Sequence, residues 1–126
     1  MYVLIVILLL AAFYCVTGQQ GHGSHALPEK KTVLLDNGLG NVDHPVSTKS
    51  PEAQQYFNQG LAYIYGFNHA EAINSFKRAV QLDPEMAMGY WGISLALGSN
   101  YNVTADVQPL TDAYAALQTA IGLAAK

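Results

Sequence analysis

The stretch that decides the fold, residues 50–102, reads SPEAQQYFNQGLAYIYGFNHAEAINSFKRAVQLDPEMAMGYWGISLALGSNYN. Two small residues, Gly60 and Ala72, stand where neighbouring helices would need to approach closely, and Tyr63 and Phe76 stand beside them. Apolar residues three or four positions apart form one face of a helix. The spacing therefore predicts two antiparallel helices in close contact, and a large residue at Gly60 should splay them.

Helix starts are marked within this stretch. Ser50 provides an N-cap side chain before Pro51, whose missing N–H costs nothing at the first helical position. Asn68, with Glu71 three residues later, is a variant of the capping box and predicts the start of a second helix.

The later boundaries follow the same chemistry. Asp83-Pro84-Glu85 repeats the device of Ser50-Pro51 and predicts that a third helix opens there. Two glycines, Gly66 and Gly98, stand where the first and third helices should end.

The order of large and small residues is similar to the tetratricopeptide repeat, whose signature is W-x2-L-G-x2-Y, then A-x3-F, then P, in a unit of about 34 residues. The matching positions, which we expect to pack the repeat, are Tyr56, Gly60, Tyr63, Ala72, Phe76, Ala79 and Pro84. Tyr56 replaces the tryptophan, and Gln59 replaces the leucine.

A second, longer unit follows the first. Tyr56-Phe57 recurs as Tyr90-Trp91 after 34 positions, and the Ala72, Phe76, Ala79 series recurs as Ala113, Leu117, Ala120 after 41. The difference, 41 minus 34, predicts a seven-residue insertion near residues 99–108. The resulting prediction is an all-α, tetratricopeptide-like solenoid of about two antiparallel helical hairpins, with repeat one at 51–83 and repeat two at 84–126.

Composition sets limits on the function. The chain has 126 residues, enough for one small domain, with 51% hydrophobic and 12% charged residues and a net charge of −3. Its six Lys and Arg residues are scattered, whereas nucleic-acid binding needs a basic stripe. We therefore expect no nucleic-acid partner.

The N-terminal residues 1–18, MYVLIVILLLAAFYCVTG, are almost entirely apolar. Their length suits a signal peptide cleaved before Gln19 better than a membrane span, although the usual positive residue before the apolar core is missing. An uncleaved anchor and a buried core helix are the alternatives. The expected location is secreted or periplasmic, or membrane-anchored and facing outside the cytoplasm, with membrane contact only through residues 1–18.

Residues 19–49 change in character and are rich in Gly, Ser, Asn and Pro. Their first part is typical of a flexible linker. Residues 39–46 carry spaced apolar side chains that need cover, so we expect them to lie along the first hairpin as an ordered, irregular arm.

Catalytic and metal-binding patterns are weak. His22 and His25 are two ligands on a linker, fewer than a zinc site needs, and nothing in the spacing of His44 and His69 requires a joint site, which is left open. The chain has no phosphate-binding loop, HExxH, CxxC or GxSxG motif. We expect no catalytic residue, metal or cofactor.

Asn102-Val103-Thr104 forms a glycosylation sequon, meaningful only for a eukaryotic secretory source.

Tetratricopeptide arrays usually bind partners on the concave surface formed by the first helix of each hairpin. By this resemblance the groove would consist of Gln54, Phe57, Asn58, Leu61, Ile64, Tyr65, Met88, Trp91 and Leu95. The set contains no Lys or Arg, so it lacks the clamp for an acidic C-terminus, and an extended apolar or aromatic segment of a protein partner is expected. The alternative is that the arm or a neighbouring unit simply buries these side chains.

Beyond the repeat itself, DHPVSTKSPEAQQYFNQGLAYIYGFNHAEAINSFKRA, then LDP, then AMGYWGISLALGSNYN resembles a family of secreted bacterial tetratricopeptide proteins of unassigned activity. The likeness covers about residues 44–102. It implies the fold, export and a scaffold role, and it carries over no catalytic residue.

The C-terminal segment predicts a further helix that opens at Thr111 or Asp112, with Tyr114, Leu117 and Ile121 on its apolar face. Repeat helices bury such a face against a next unit. We therefore expect that the chain is part of a longer array or pairs with another chain, including a second copy.

Two classes of function follow: a non-catalytic interaction scaffold, or the front end of a larger exported enzyme or metal-binding protein.

Overall fold

A computed structural model describes residues 33–101 and 107–126. Within these ranges the chain forms four helices and no strand: α1 (Pro51–Tyr65), α2 (His69–Leu82), α3 (Ala87–Leu97) and α4 (Val107–Ala124). The first two helices form one antiparallel hairpin, the last two form another, and α2 packs on α3. This architecture confirms the predicted all-α, tetratricopeptide-like fold.

Some of the predictions concern residues outside the described ranges. They are the signal peptide or anchor at 1–18, the first part of the linker with His22 and His25, and the sequon at 102–104. Among the helices that the structure describes, none combines the length and apolar character of a membrane span.

Both helices of the first hairpin begin, and α1 ends, where the capping residues predict. The Ser50 side chain accepts a hydrogen bond from the Ala53 amide at 3.1 Å, and the Asn68 side chain accepts one from the Glu71 amide at 3.3 Å. Gly66 is the C-cap of α1. These bonds satisfy amides that lack a partner within the helix, which is why both starts could be predicted from local sequence.

The predicted start of α3 is wrong. The helix begins at Ala87, and Asp83 is instead the C-cap of α2. The Asp83 carboxylate accepts hydrogen bonds from the Thr48 hydroxyl at 2.6 Å and the Lys49 amide at 2.8 Å. The other carboxylate oxygen, Asp83 Oδ1, accepts from the Glu85 amide at 3.2 Å, but residues 84–85 form a turn in which the Met86 amide donates to the Asp83 carbonyl, and α3 has no side-chain cap.

The predicted start of α4 is also wrong, because the helix begins at Val107, before Thr111 or Asp112. The Thr111 hydroxyl donates to the Val107 carbonyl at 3.0 Å, and the Gln108 side chain donates to Asp112 at 2.9 Å, both one helical turn apart. Pro109 falls within the first turn, where its missing N–H breaks no helical bond. Residues 107–108 are therefore helical and do not belong to an inserted loop.

The core centres on Phe76 of α2, which lies between two glycines. A Cβ atom built on Gly60 of α1 would approach the Phe76 Cε1 atom to 2.5 Å, and one on Gly92 of α3 would approach its Cδ1 atom to 2.6 Å. The Phe57 ring packs against Phe76 with ring centroids 5.5 Å apart, and both side chains are fully buried. The missing side chains at Gly60 and Gly92 thus allow one aromatic ring to join three helices.

The other predicted packing residues lie around this centre. Tyr56, Ala72 and Ala79 are buried, Tyr63 is half-buried, and Pro84 is exposed in the turn before α3. In the second hairpin the buried residues of α4 are Ala113 and Ala120, which are the positions related to Ala72 and Ala79 by the 41-residue step.

Candidate partner-binding groove

Residues 33–46, hereafter the arm, lie against α1 as two limbs joined by a turn at 37–40. The first limb begins where the Val33 carbonyl accepts a hydrogen bond from the Tyr56 hydroxyl at 3.0 Å. The turn follows Asp36, whose carboxylate accepts from the Gly38 amide at 2.8 Å, and includes Gly40 at a φ of 79°. The second limb then runs back towards the start of α1.

Gln59 holds the first limb. Its Oε1 atom accepts from the Asp36 amide at 2.7 Å, and its Nε2 atom donates to the Leu34 carbonyl at 3.1 Å and to the Ser75 hydroxyl at 3.0 Å. The Gln59 residue is only 7% exposed, so these bonds satisfy a polar group inside the packed hairpin. Gln59, one of the two residues that depart from the repeat signature, thus joins the arm to both helices of the first hairpin.

Two carboxamides one helical turn apart hold the second limb. Asn58 Oδ1 accepts from the His44 amide at 3.2 Å, and Gln54 Nε2 donates to the His44 carbonyl at 2.8 Å. Gln54 Oε1 accepts from the Val46 amide at 3.0 Å, and Gln54 Nε2 also donates to Asn58 Oδ1 at 2.9 Å. All three contacts with the arm are made to its backbone.

The arm also covers the aromatic centre of this face. The His44 ring lies 6.1 Å from the Phe57 ring, centroid to centroid, at an interplanar angle of 40°. Val42 and Val46 are half-buried and pack against the core. The arm therefore contributes apolar cover as well as hydrogen bonds.

Four of the six groove residues expected on α1 fall into two groups. Gln54 and Asn58 are half-buried and bonded to the arm, whereas Phe57 and Leu61 are buried members of the core. In this part of the expected groove, the side chains are therefore already engaged, either by hydrogen bonds to the arm or by packing in the core.

The other half of the expected groove is more open. Tyr65, at the end of α1, is 72% exposed, and Leu95 of α3 is 43% exposed. Ile64, Met88 and Trp91 are half-buried and pack against the edge of the core. No lysine or arginine is among these residues, so this surface offers a partner apolar and aromatic contacts without a positive charge.

A cleft of about 240 Å³ opens between the two limbs of the arm and α1. Its lining is mostly polar and includes the side chains of Asp36, Asn41, Gln55 and Asn58. The Asp36 carboxylate is engaged by the Gly38 amide and by the Tyr63 hydroxyl, the latter at 3.2 Å. The cleft thus follows from the two-limbed path of the arm.

The base of the arm is fixed to the loop between α2 and α3 through Asp83. The hydrogen bond from the Thr48 hydroxyl, and to a smaller extent that from the Lys49 amide, holds the pKa of the Asp83 carboxyl below its usual range. The exposed Lys49 ammonium forms an ion pair with Glu85 at 2.7 Å, which lowers the pKa of Glu85 and raises that of Lys49. The sequence gives no local signal for this anchor, because its partners are about 35 positions apart.

The two histidines of the described region have separate surroundings. His44 lies in the arm against Phe57, and the His69 Nδ1 atom is 3.3 Å from the Phe67 carbonyl oxygen at the start of α2. Across residues 33–101 and 107–126, no group of three or more His, Cys, Asp and Glu side chains is arranged to hold a metal ion.

Comparison with known families agrees with this geometry. The family model of the tetratricopeptide repeat matches residues 53–86, which cover most of α1, all of α2 and the turn that follows. No curated protein and no solved structure matches the chain. Tetratricopeptide repeats generally mediate protein–protein interaction and are typically non-catalytic.

Proposed function

We propose that this chain is a non-catalytic protein-interaction scaffold that acts outside the cytoplasm and binds a segment of a partner protein along α3 and the end of α1. The observation that carries the proposal is the exposure of large apolar side chains among the residues expected to form the groove. Tyr65 and Leu95 expose 72% and 43% of their surface there, beside the half-buried Trp91.

The chemistry of this surface suits an extended apolar or aromatic segment. Aromatic side chains that are partly exposed are frequent anchors of protein interfaces, where they bury large areas at small entropic cost. The absence of Lys and Arg from the predicted groove set gives no preference for an acidic partner.

The test is site-specific photo-crosslinking. A photoreactive residue at Leu95 should crosslink one defined partner, and the same residue at Lys77, an exposed position on α2, should not. Trp91→Ala should abolish the crosslink with unchanged helicity in circular dichroism. Phe57 is unsuitable for this test because its ring is fully buried in the core. Equal crosslinking from both positions, or unchanged crosslinking in the Trp91→Ala variant, would contradict the proposed groove.

The location outside the cytoplasm rests on the apolar residues 1–18 and on the resemblance to secreted proteins over residues 44–102. Intact mass measurement of the protein recovered from an exporting host should give a chain that begins at Gln19. An intact N-terminus in a membrane fraction would favour the anchored form, and an intact N-terminus in the cytoplasm would overturn the location.

The exposed face of α4 is a second contact surface in this proposal, with another copy of the chain as its partner. Tyr114 and Ile121 are 64% and 54% exposed and lie two turns apart on one face. Asp112 and Lys126 are the only charged residues at 107–126, so two such faces could meet without like-charge repulsion. Sedimentation should show a dimer that Ile121→Ser dissociates and Thr119→Ser, an exposed change on another side of α4, does not.

A further inference from the structure

The second limb of the arm is held in the way that a repeat groove would hold an extended ligand. Gln54 and Asn58 bond to the N–H and C=O of His44 and to the N–H of Val46, and none of these bonds involves an arm side chain. Backbone contacts of this kind can be reproduced by any chain that follows the same path.

We propose that residues 42–46 are a built-in competitor, and that a partner with a similar extended segment binds the α1 half of the groove by displacing them. This inference rests on the proposed function, because it names a second segment of the groove and the class of ligand that fits it. It adds a form of regulation, since the site on α1 is available only while the arm is released.

The contacts define the chemistry of the competing segment. The first required residue has a ring that can lie on Phe57, as the His44 ring does, and it offers both its backbone N–H and C=O. The next residue is a proline, which favours the extended conformation of the residue before it. The third is a β-branched residue with a free N–H, at the position of Val46, which is half-buried against the core.

Release of the arm need not disturb the hairpin. Thr48 and Lys49 are bonded to Asp83, so the base of the arm is fixed below the second limb. The start of α1 has its own cap in Ser50. A segment above this base can therefore detach while α1 keeps both its cap and its position.

Competition follows from tethering. A segment joined to its site by a short connection has an effective concentration in the millimolar range, so a free peptide with the same contacts binds weakly until the tethered segment is weakened. The apparent affinity is the intrinsic affinity reduced by the fraction of molecules whose site is free. Weakening the arm without changing α1 should therefore tighten binding of a free peptide.

The experiment uses the full chain and a labelled synthetic peptide with the sequence of residues 40–47, GNVDHPVS. Val46→Ser in the protein removes apolar cover from the second limb and should tighten peptide binding about tenfold relative to the unchanged protein. Asp43→Ser, an exposed change in the same limb, is the matched control and should leave the affinity unchanged. Val42→Ser is a second arm variant should Val46→Ser fold poorly.

The groove side is tested in the Val46→Ser background. Gln54→Ala combined with Asn58→Ala should abolish peptide binding while circular dichroism stays unchanged, and Trp91→Ala should leave peptide binding intact. Equal affinities of the Val46→Ser, Val42→Ser and Asp43→Ser proteins, or binding that is insensitive to Gln54 and Asn58, would overturn the inference. Loss of peptide binding with Trp91→Ala alone would also overturn it while supporting the proposed function, so the two failures are distinguishable.

Discussion

The two hairpins share one arrangement but bury different kinds of residue. The first hairpin buries the rings of Phe57 and Phe76, and burial of each is worth about 2 to 3 kcal/mol. The second hairpin buries mainly small residues, among them Ala96, Ala113 and Ala120, and turns Tyr114 and Ile121 outwards.

The helix caps and the covering contacts also differ between the two hairpins. Both helices of the first hairpin have side-chain caps, and the arm covers α1 through Gln59 and Gln54. Helix α3 has no side-chain cap, and Leu95 lies partly open on its surface. The comparison indicates that the first hairpin provides most of the stability, whereas the second exposes more large apolar side chains.

The largest expected effect comes from the glycines around Phe76. Gly60→Ala should destabilise the protein by about 3 kcal/mol, because the new Cβ would lie 2.5 Å from a ring held between three helices. Gly122→Ala in α4 is the matched change, since no atom lies within 4 Å of the place its new Cβ would occupy, and it should stabilise by about 0.5 to 1 kcal/mol. Urea unfolding followed by circular dichroism measures both, and equal effects would contradict the close approach of the helices at Phe76.

The Asp83 anchor between the two hairpins should give the next largest effect. Asp83→Ala removes the acceptor of the Thr48 and Lys49 bonds and should cost about 2 kcal/mol at neutral pH. Because the pKa of the folded-state carboxyl is lowered, its stabilisation is complete above the unfolded pKa of about 3.9 and is lost as the pH falls through the lower folded value. The difference between the natural protein and Asp83→Ala should therefore shrink below pH about 4, and a constant difference down to pH about 2 would argue against the anchor.

Phe67 tests the turn of the first hairpin. It has a φ of 57° at the position after the Gly66 cap, where its amide donates to the Ile64 carbonyl and the Asn68 amide donates to the Tyr63 carbonyl. Glycine adopts this left-handed conformation without the steric cost of a side chain, so Phe67→Gly should stabilise by about 1 kcal/mol. Phe67→Ala keeps the Cβ atom and should show no such gain in thermal unfolding. A similar gain in Phe67→Ala would mean that the stabilisation comes from removing the exposed aromatic ring and not from relieving the backbone conformation.

The smallest effect on global stability is expected from Gln59→Leu, which restores the repeat signature at the point where the arm is attached. The loss of the bonds to Leu34 and Asp36 should be largely offset by apolar burial, leaving a net change within about 1 kcal/mol. Hydrogen exchange at the Asp36 amide should nevertheless rise clearly, whereas Lys77→Leu, at an exposed position on α2, should leave it unchanged. Unchanged protection in Gln59→Leu would show that the arm is held by other contacts.

Local chemistry was enough to predict the helices of the first hairpin. Ser50, Asn68 and Gly66 act on groups within a few positions of themselves, so their effect can be read from neighbouring residues. The close approach of the helices was also evident, because Gly60 stands at the spacing that places it opposite Phe76. The candidate groove was predicted as a set of residues, but the sequence left open whether the arm would cover it.

The tertiary structure alone decided the path of the arm and the starts of α3 and α4. Gln59 stood in the sequence as a departure from a signature, and its role emerged only with the bonds to residues 23 and 25 positions away. Asp83 was predicted to open a helix, and only the structure revealed that its carboxylate also accepts hydrogen bonds from the distant Thr48 and Lys49. A cap depends on neighbours that the sequence places beside it, whereas a long-range hydrogen bond depends on packing that brings distant residues together.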